Sequence, residues 1–199
     1  MRNPDKDFIE LECIAGGDED TFTRVYNRYR NRVYGFAYRM LGVQSIAEEI
    51  TQEAFLVLIR HPERYDPTRG SLLTFLCAVT RNFILSHFKH RGYSFEESYE
   101  ELNFIPANNE TEADPLSSLL EQELAEKISE CIERLPGLQR EAIVLREFQG
   151  LSYEEISIVT GVTVNVVKVR IHRARQILAV YLAPYMNSKG ERYYEVRRS

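Results

Sequence analysis

The sequence predicts an all-α protein: two small helical domains joined by a flexible acidic linker, with a helix-turn-helix in the C-terminal domain. Three observations carry this. Apolar residues recur at three- and four-residue intervals through most of 18–91 and 127–182. Residues 92–126 hold ten carboxylates and no lysine or arginine. Finally, Leu151 to Leu178 reads as two helices around a three-residue glycine turn, ending in the most basic surface of the chain. The expected division is therefore 1–91, a linker over 92–126, 127–182, and a tail over 183–199.

Composition narrows the class. The 199 residues suffice for two small cores, and 44% of them are hydrophobic. No 18-residue apolar run offers a membrane span, and the charged start MRNPDKDFIE lacks a signal peptide's apolar segment, so a cytoplasmic protein is expected. Cys13, Cys77 and Cys131 are widely spaced, as reduced structural thiols are. A net charge of −5 looks wrong for a nucleic-acid binder until it is divided along the chain. Residues 1–91 carry 13 basic and 12 acidic groups, and residues 127–199 carry 12 and 8; the acidity sits in the linker.

In chain order, residues 1–17 read as a mixed lead-in ending at Gly16-Gly17. From Asp18 a long amphipathic helix follows, with Phe22, Val25, Tyr26, Tyr29, Val33, Phe36 and Met40 on its inner side and arginines outside, closed by Gly42. Ser45 and Glu48 have capping-box spacing, which opens a helix from about Ile46 to Arg60. Its Ile50, Ala54, Val57 and Leu58 face inward, and Glu48, Glu49, Gln52 and Glu53 face out. HPERYDPTRG, residues 61–70, is a loop by its prolines and glycine. A third helix starts near Ser71 and buries Leu72, Phe75, Leu76, Val79, Phe83 and Ile84. His87 and His90 stand at i, i+3, but no further ligand lies near them in sequence, so no metal is expected. After the linker, which is expected to turn helical from Pro115 on, leucines and isoleucines at helical spacing mark a helix to Glu133. Another runs from Pro136 to Gly150.

The C-terminal stretch is the most informative. Ser152 with Glu155 forms a capping box, Gly161 suits a left-handed helix end, and Thr163 is the N-cap of a second helix with no breaker before Pro184. At about 100° per residue, Val164, Val167, Ile171, Ala174 and Leu178 form an inward stripe. Asn165, Val169, His172, Arg173 and Gln176 face the other way, flanked by Val166 and Lys168. Four basic residues and no acidic one lie between Lys168 and Arg175. A solvated basic face would explain the charges. It would not explain outward valines, which suit thymine methyl groups in a major groove.

LSYEEI, a glycine turn and VKVRIHRARQIL together resemble the promoter-binding C-terminal domain of the extracytoplasmic-function sigma factors of bacterial RNA polymerase. AEEITQEAFL resembles the segment by which that family docks on the clamp helices of the polymerase's largest subunit, which implies Glu49, Gln52 and Phe55 as contacts. The proline-bounded loop at 64–73 and the basic-ended helix after it are similar to the family's element for capturing unstacked minus-ten bases. That implies roles for Asn82, its pocket asparagine, and for Arg81, Lys89 and Arg91. Arg146, Asn165, Lys168, Val169, His172 and Arg173 correspond to residues that meet the minus-thirty-five duplex. The chain departs from the family where Asn165-Val166 replaces a frequent Gly-Thr pair and where Val169 replaces a small polar residue. The resemblance further implies core RNA polymerase, promoter DNA and an anti-sigma factor as partners, an acidic linker in the polymerase channel, and no cofactor.

Phosphate-loop, dinucleotide, nucleophile-elbow and zinc-protease motifs are missing from the sequence, so an enzyme is not expected. A stand-alone dimeric helix-turn-helix regulator is the main alternative, but it leaves the AEEITQEAF helix without a purpose. A site-specific recombinase would need a catalytic serine or tyrosine among arginines on a different N-terminal fold.

Overall fold

The computed structural model describes the backbone over residues 4–92 and 126–196, and the side chains over 7–92 and 126–183. Every regular element among the described residues is helical. The N-terminal half comprises α1 (Pro4–Ala15), α2 (Glu19–Leu41), α3 (Gln44–Arg60), a single 3₁₀ turn at Pro62–Arg64 and α4 (Leu72–His90). The C-terminal half comprises α5 (126–133), α6 (Gly137–Ile143) continuing into a π turn at Val144–Phe148, α7 (Tyr153–Thr160) and α8 (Val164–Val196). The linker expected over 92–126 lies outside the described residues except at its two ends, as does the helix expected from Pro115.

Local chemistry accounts for most boundaries. Asp18 caps α2 by accepting from the Thr21 amide at 3.0 Å and its hydroxyl at 2.7 Å, and those bonds lower its carboxyl pKa. Gly42 ends α2 with φ 72°, a conformation costly for any residue with a Cβ. Ser71 caps α4. The box expected from Ser45 and Glu48 does not form. Helix α3 starts two residues earlier than the expected Ile46, after an uncapped Val43, and the Glu48 carboxylate instead accepts from Gln44 Nε2 at 2.9 Å.

Two expectations at the ends also change. The lead-in is helical as α1. Its Leu11 and Ile14 are buried, and Glu10 accepts two bonds of 2.8 Å from the Arg28 guanidinium, a planar fork that pins α1 to α2. At the other end, α8 continues past Pro184 to Val196, although proline removes one helical hydrogen bond.

Two apolar clusters organise the molecule. The smaller lies inside the N-terminal half, where α1, α2, α3 and α4 bring together residues such as Leu11, Val25, Phe55, Leu58 and Leu76. The larger runs without a break through both halves: Phe36 and Met40 of α2 and Leu73, Cys77 and Ile84 of α4 join Leu145, Ile156, Val167 and Ile171. Helix α4 therefore has two buried flanks. The sequence pattern indicated one, so Leu73, Cys77, Thr80 and Phe88 are more buried than expected, while Phe75, Val79 and Phe83 are only partly covered. Burial pushes the Cys77 thiol up to about 12, which keeps it protonated and inert.

Glu133 of α5 is half-buried, and desolvation pushes its carboxyl up to about 7 despite the opposing Arg140 charge. An unfolded chain releases this proton near 4.5, so the folded state binds it more tightly across the interval between. The Glu133 contribution to stability thus falls as pH rises from about 4.5 to about 7. Glu133→Gln is expected to flatten that part of the stability profile and to raise the melting temperature at pH 8, as pH-dependent thermal denaturation would report.

Candidate nucleic-acid and polymerase surfaces

The helix-turn-helix follows its local sequence closely. Ser152 Oγ accepts from the Glu155 amide at 3.2 Å and Glu155 Oε2 accepts from the Ser152 amide at 2.9 Å, completing the capping box. Gly161 ends α7 at φ 71°, and α8 begins after Thr163. Val167, Ile171 and Ala174 are buried against α6 and α7, with Val164 and Leu178 at the margin. Asn165, Val166, Lys168, Val169, His172, Arg173 and Gln176 are all exposed. Val166 and Val169 are 40% and 48% exposed, and with Leu138, Gln139, Asn165 and Arg173 they line a shallow concavity between α8 and the start of α6. An apolar floor with an amide and a guanidinium at its rim matches a base edge better than it matches water.

A second feature of this face was hidden in the sequence. Tyr153, the first residue of α7, lies between two cations: the Arg146 guanidinium carbon is 4.8 Å from its ring centroid and Lys168 Nζ is 6.0 Å away. Arg146 is fixed further by donating to the Leu151 carbonyl at 2.8 Å. Two cations from different helices are thus gathered about one aromatic ring, an arrangement suited to a phosphate oxygen. Arg175 also interacts with Tyr153, but its first partner is Glu147, in an exposed ion pair of 2.7 Å. Only the i, i+7 offset of Arg146 and Tyr153 hinted at this, and it needs the chain reversal between them to be meaningful.

In the N-terminal half, Asn82, Lys89 and Arg91 are exposed, but Arg81 is only partly so. Its Nε donates to Glu141 Oε1 at 2.7 Å, with the two side chains 15% and 1% exposed. On α3, Glu49 and Gln52 are exposed beside Glu48. Phe55 requires a correction. It is 2% exposed, its ring 4.8 Å from Tyr26 and 6.4 Å from Phe22 in edge-on packing. Moving it outward would forfeit about 3–5 kcal/mol of core packing, so it supports the α3 surface from beneath. Among the described residues no cluster of three metal-ligating side chains occurs, and His87 packs edge-on against Phe88.

Residues 25–93 match the family model for sigma-70 region 2, and residues 125–178 match that for sigma-70 region 4. The ECF RNA polymerase sigma factor SigE of Mycolicibacterium smegmatis is 31% identical over 92% of this chain and 76% of its own length. The chain belongs to the extracytoplasmic-function sigma factors. SigW of Bacillus subtilis is 30% identical over 84% of this chain and 92% of its own. In solved structures the fold matches RpoE of Bartonella quintana, in complex with the anti-sigma factor NepR, at TM-score 0.65 and 22% identity over 81% of this chain and 96% of that one. It also matches CnrH, in complex with the cytosolic domain of CnrY, at TM-score 0.64 and 21% identity over 89% and 97%. This sigma factor directs RNA polymerase to promoters, and among its described residues no helix is long and apolar enough to cross a membrane.

Because Tyr153 holds Arg146 and Lys168 in place, Tyr153→Ala is expected to weaken promoter-duplex binding by about 1 kcal/mol for all sequences alike, with a shallower salt dependence. Fluorescence anisotropy at two salt concentrations tests this; a loss confined to one promoter sequence would show that the cluster reads a base instead.

Proposed function

We propose that this sigma factor works by binding alone. The exposed face of α8 reads the minus-thirty-five duplex, with Asn165, Lys168, Val169, His172 and Arg173 toward the bases and Arg146 on a phosphate. Asn82, Lys89 and Arg91, joined by Arg81, capture unstacked minus-ten bases. Glu49 and Gln52 on α3 meet a basic surface of core RNA polymerase. The observation that carries the reading is the sorting of α8: among its described residues the buried ones are all apolar, while Lys168, Arg173, Arg175 and two valines are exposed. Strand opening then draws its free energy from captured bases and the polymerase, with no cofactor on the sigma factor. The structural relatives bound to anti-sigma factors support an inhibitor of that class for this chain as well.

The concavity at Val166 and Val169 suits thymine methyl groups. Replacing thymine by uracil in the minus-thirty-five element is expected to weaken wild-type binding several-fold and to leave Val169→Ala unaffected. Equal losses in both proteins would remove the valine from the reading. Arg173→Ala is expected to cost about 1–3 kcal/mol of duplex binding. Run-off transcription with core polymerase and a pool of bacterial promoter fragments tests the whole. Specific transcripts should appear with the wild-type chain and disappear with Asn82→Ala or Arg173→Ala. Duplex binding by a dimer that ignores core polymerase would instead identify a stand-alone regulator.

A further inference from the structure

Residues 66–71 are the projecting part of the loop expected to receive minus-ten bases, and α1 holds them at both ends. Tyr65 and Leu72 bracket the span, and both are buried in the apolar cluster that contains Leu11 and Ile14 of α1. Helix α1 also touches the 3₁₀ turn that leads into the loop. Asp7, one turn before Leu11, adds a polar tie, since its carboxylate accepts from the Leu72 amide at 3.1 Å. That amide opens α4, where the helix itself offers no acceptor. Glu10, on the same helix, is joined to Arg28 by two bonds of 2.8 Å, which fixes α1 against α2.

The span is tied within itself as well. The Asp66 carboxylate accepts from the Thr68 hydroxyl at 2.6 Å and the Thr68 amide at 2.9 Å, an Asx turn whose bonds lower the Asp66 pKa. The Arg69 amide donates to the Asp66 carbonyl at 3.1 Å. The Tyr65 hydroxyl donates to the Gly70 carbonyl at 3.3 Å, while its ring packs edge-on against Phe75. A Cβ at Gly70 would stand 3.0 Å from Thr74, so the end of the span lies directly on the first turn of α4. Thr68 and Arg69 are left exposed between these anchors. Core packing calls for Leu11, Ile14 and an apolar ring at 65. It does not call for an acid at Asp7 or a hydroxyl on Tyr65, and the bonds of both end on the loop and its border.

We infer that α1 braces the minus-ten loop, with Asp7 and Tyr65 as positioning residues that hold residues 66–71 in their receiving shape before DNA arrives. The inference rests on the minus-ten reading for what the loop receives, and on the contacts alone for the brace. A loop ordered in advance imposes no ordering cost on the base it takes up. Loss of either tie therefore weakens base capture without altering a group that meets the base.

Three variants test this. Asp7→Ala removes the tie to α4, Asp7→Asn keeps an acceptor there, and Tyr65→Phe removes only the hydroxyl, which covers the case in which Asp7→Ala unfolds α1. Holoenzymes assembled from each full-length chain and core RNA polymerase are titrated with a single-stranded minus-ten oligonucleotide and with copies made abasic at one position each. For the wild-type chain, the abasic position that meets the loop is expected to cost roughly tenfold or more in affinity, as one stacked base supplies. In Asp7→Ala and Tyr65→Phe that ratio is expected to fall to about threefold or less. Asp7→Asn should keep the wild-type ratio, and all four holoenzymes should bind the minus-thirty-five duplex equally. Amide hydrogen exchange over 65–72 in the full-length chain reads the brace without DNA, and is expected to quicken roughly tenfold in Asp7→Ala and Tyr65→Phe. Exchange that neither variant changes would overturn the brace. A loosened loop that keeps the wild-type abasic ratio, losing affinity for intact and abasic strands alike, would overturn the positioning role. A wild-type holoenzyme indifferent to every abasic position would sink the minus-ten assignment, and the exchange would still decide the brace.

Discussion

Burial of α4 on two flanks is the constraint from which the arrangement follows. One flank, through Leu72 and Leu76, completes the core of the N-terminal half; the other, through Leu73, Cys77 and Ile84, is covered by the C-terminal half. A helix with two apolar sides leaves little room for functional residues. They are confined to the strip carrying Asn82, Ser86, Lys89 and His90 and to the helix ends. Arg81 sits at the border of that strip, which is why it is drawn into an ion pair with Glu141 across the joint. Burial raises the Glu141 carboxyl pKa, and the Arg81 and Arg170 charges oppose that rise.

The distribution of charge follows the same economy. The acidic residues that make the whole chain anionic are concentrated between the two folded halves, while α8 presents cations on the side opposite its core stripe. Within that cationic side the groups are not equivalent. Arg146 is held by a carbonyl and a ring, Arg175 is balanced by Glu147, and Arg173 lines the concavity beside Val169. Positioning by fixed cations and discrimination by a few base-facing side chains is the usual division of labour on a duplex.

Much of this was legible in the sequence because it is set by near neighbours. Ser152 with Glu155, Gly161, Gly42 and the Val167–Ile171–Ala174 stripe act over three or four residues, and each has the structure its local chemistry dictates. Most exceptions depend on distant partners. Helix α1 is anchored by Arg28 and by Asp7, which accepts from the Leu72 amide at 3.1 Å, neither visible from a mixed polar segment. One exception is local: α3 begins at Gln44, which puts Ser45 inside the helix and engages Glu48. Phe55 shares a helix with exposed carboxylates, and only the rings of Phe22 and Tyr26 show that it points the other way. Arg81 lies 60 positions from its counter-ion and Tyr153 is a platform only once the chain has turned back on itself.

The π turn at Val144–Phe148 carries a consequence for how the sequence can vary. Its amide-to-carbonyl bond from Gln149 to Val144 spans five residues where an α-helix spans four, so this turn accommodates one residue more than its neighbours. That extra residue rotates everything after it by about 100° relative to an unbroken helix. It aims Gln149 at Arg32 and sets Phe148 under the Arg39 guanidinium, 4.1 Å from its ring centroid. A single deletion inside the turn would therefore leave α6 helical and its core face intact, yet swing both residues off α2. Length at this one point thus sets how the residues after the turn meet α2.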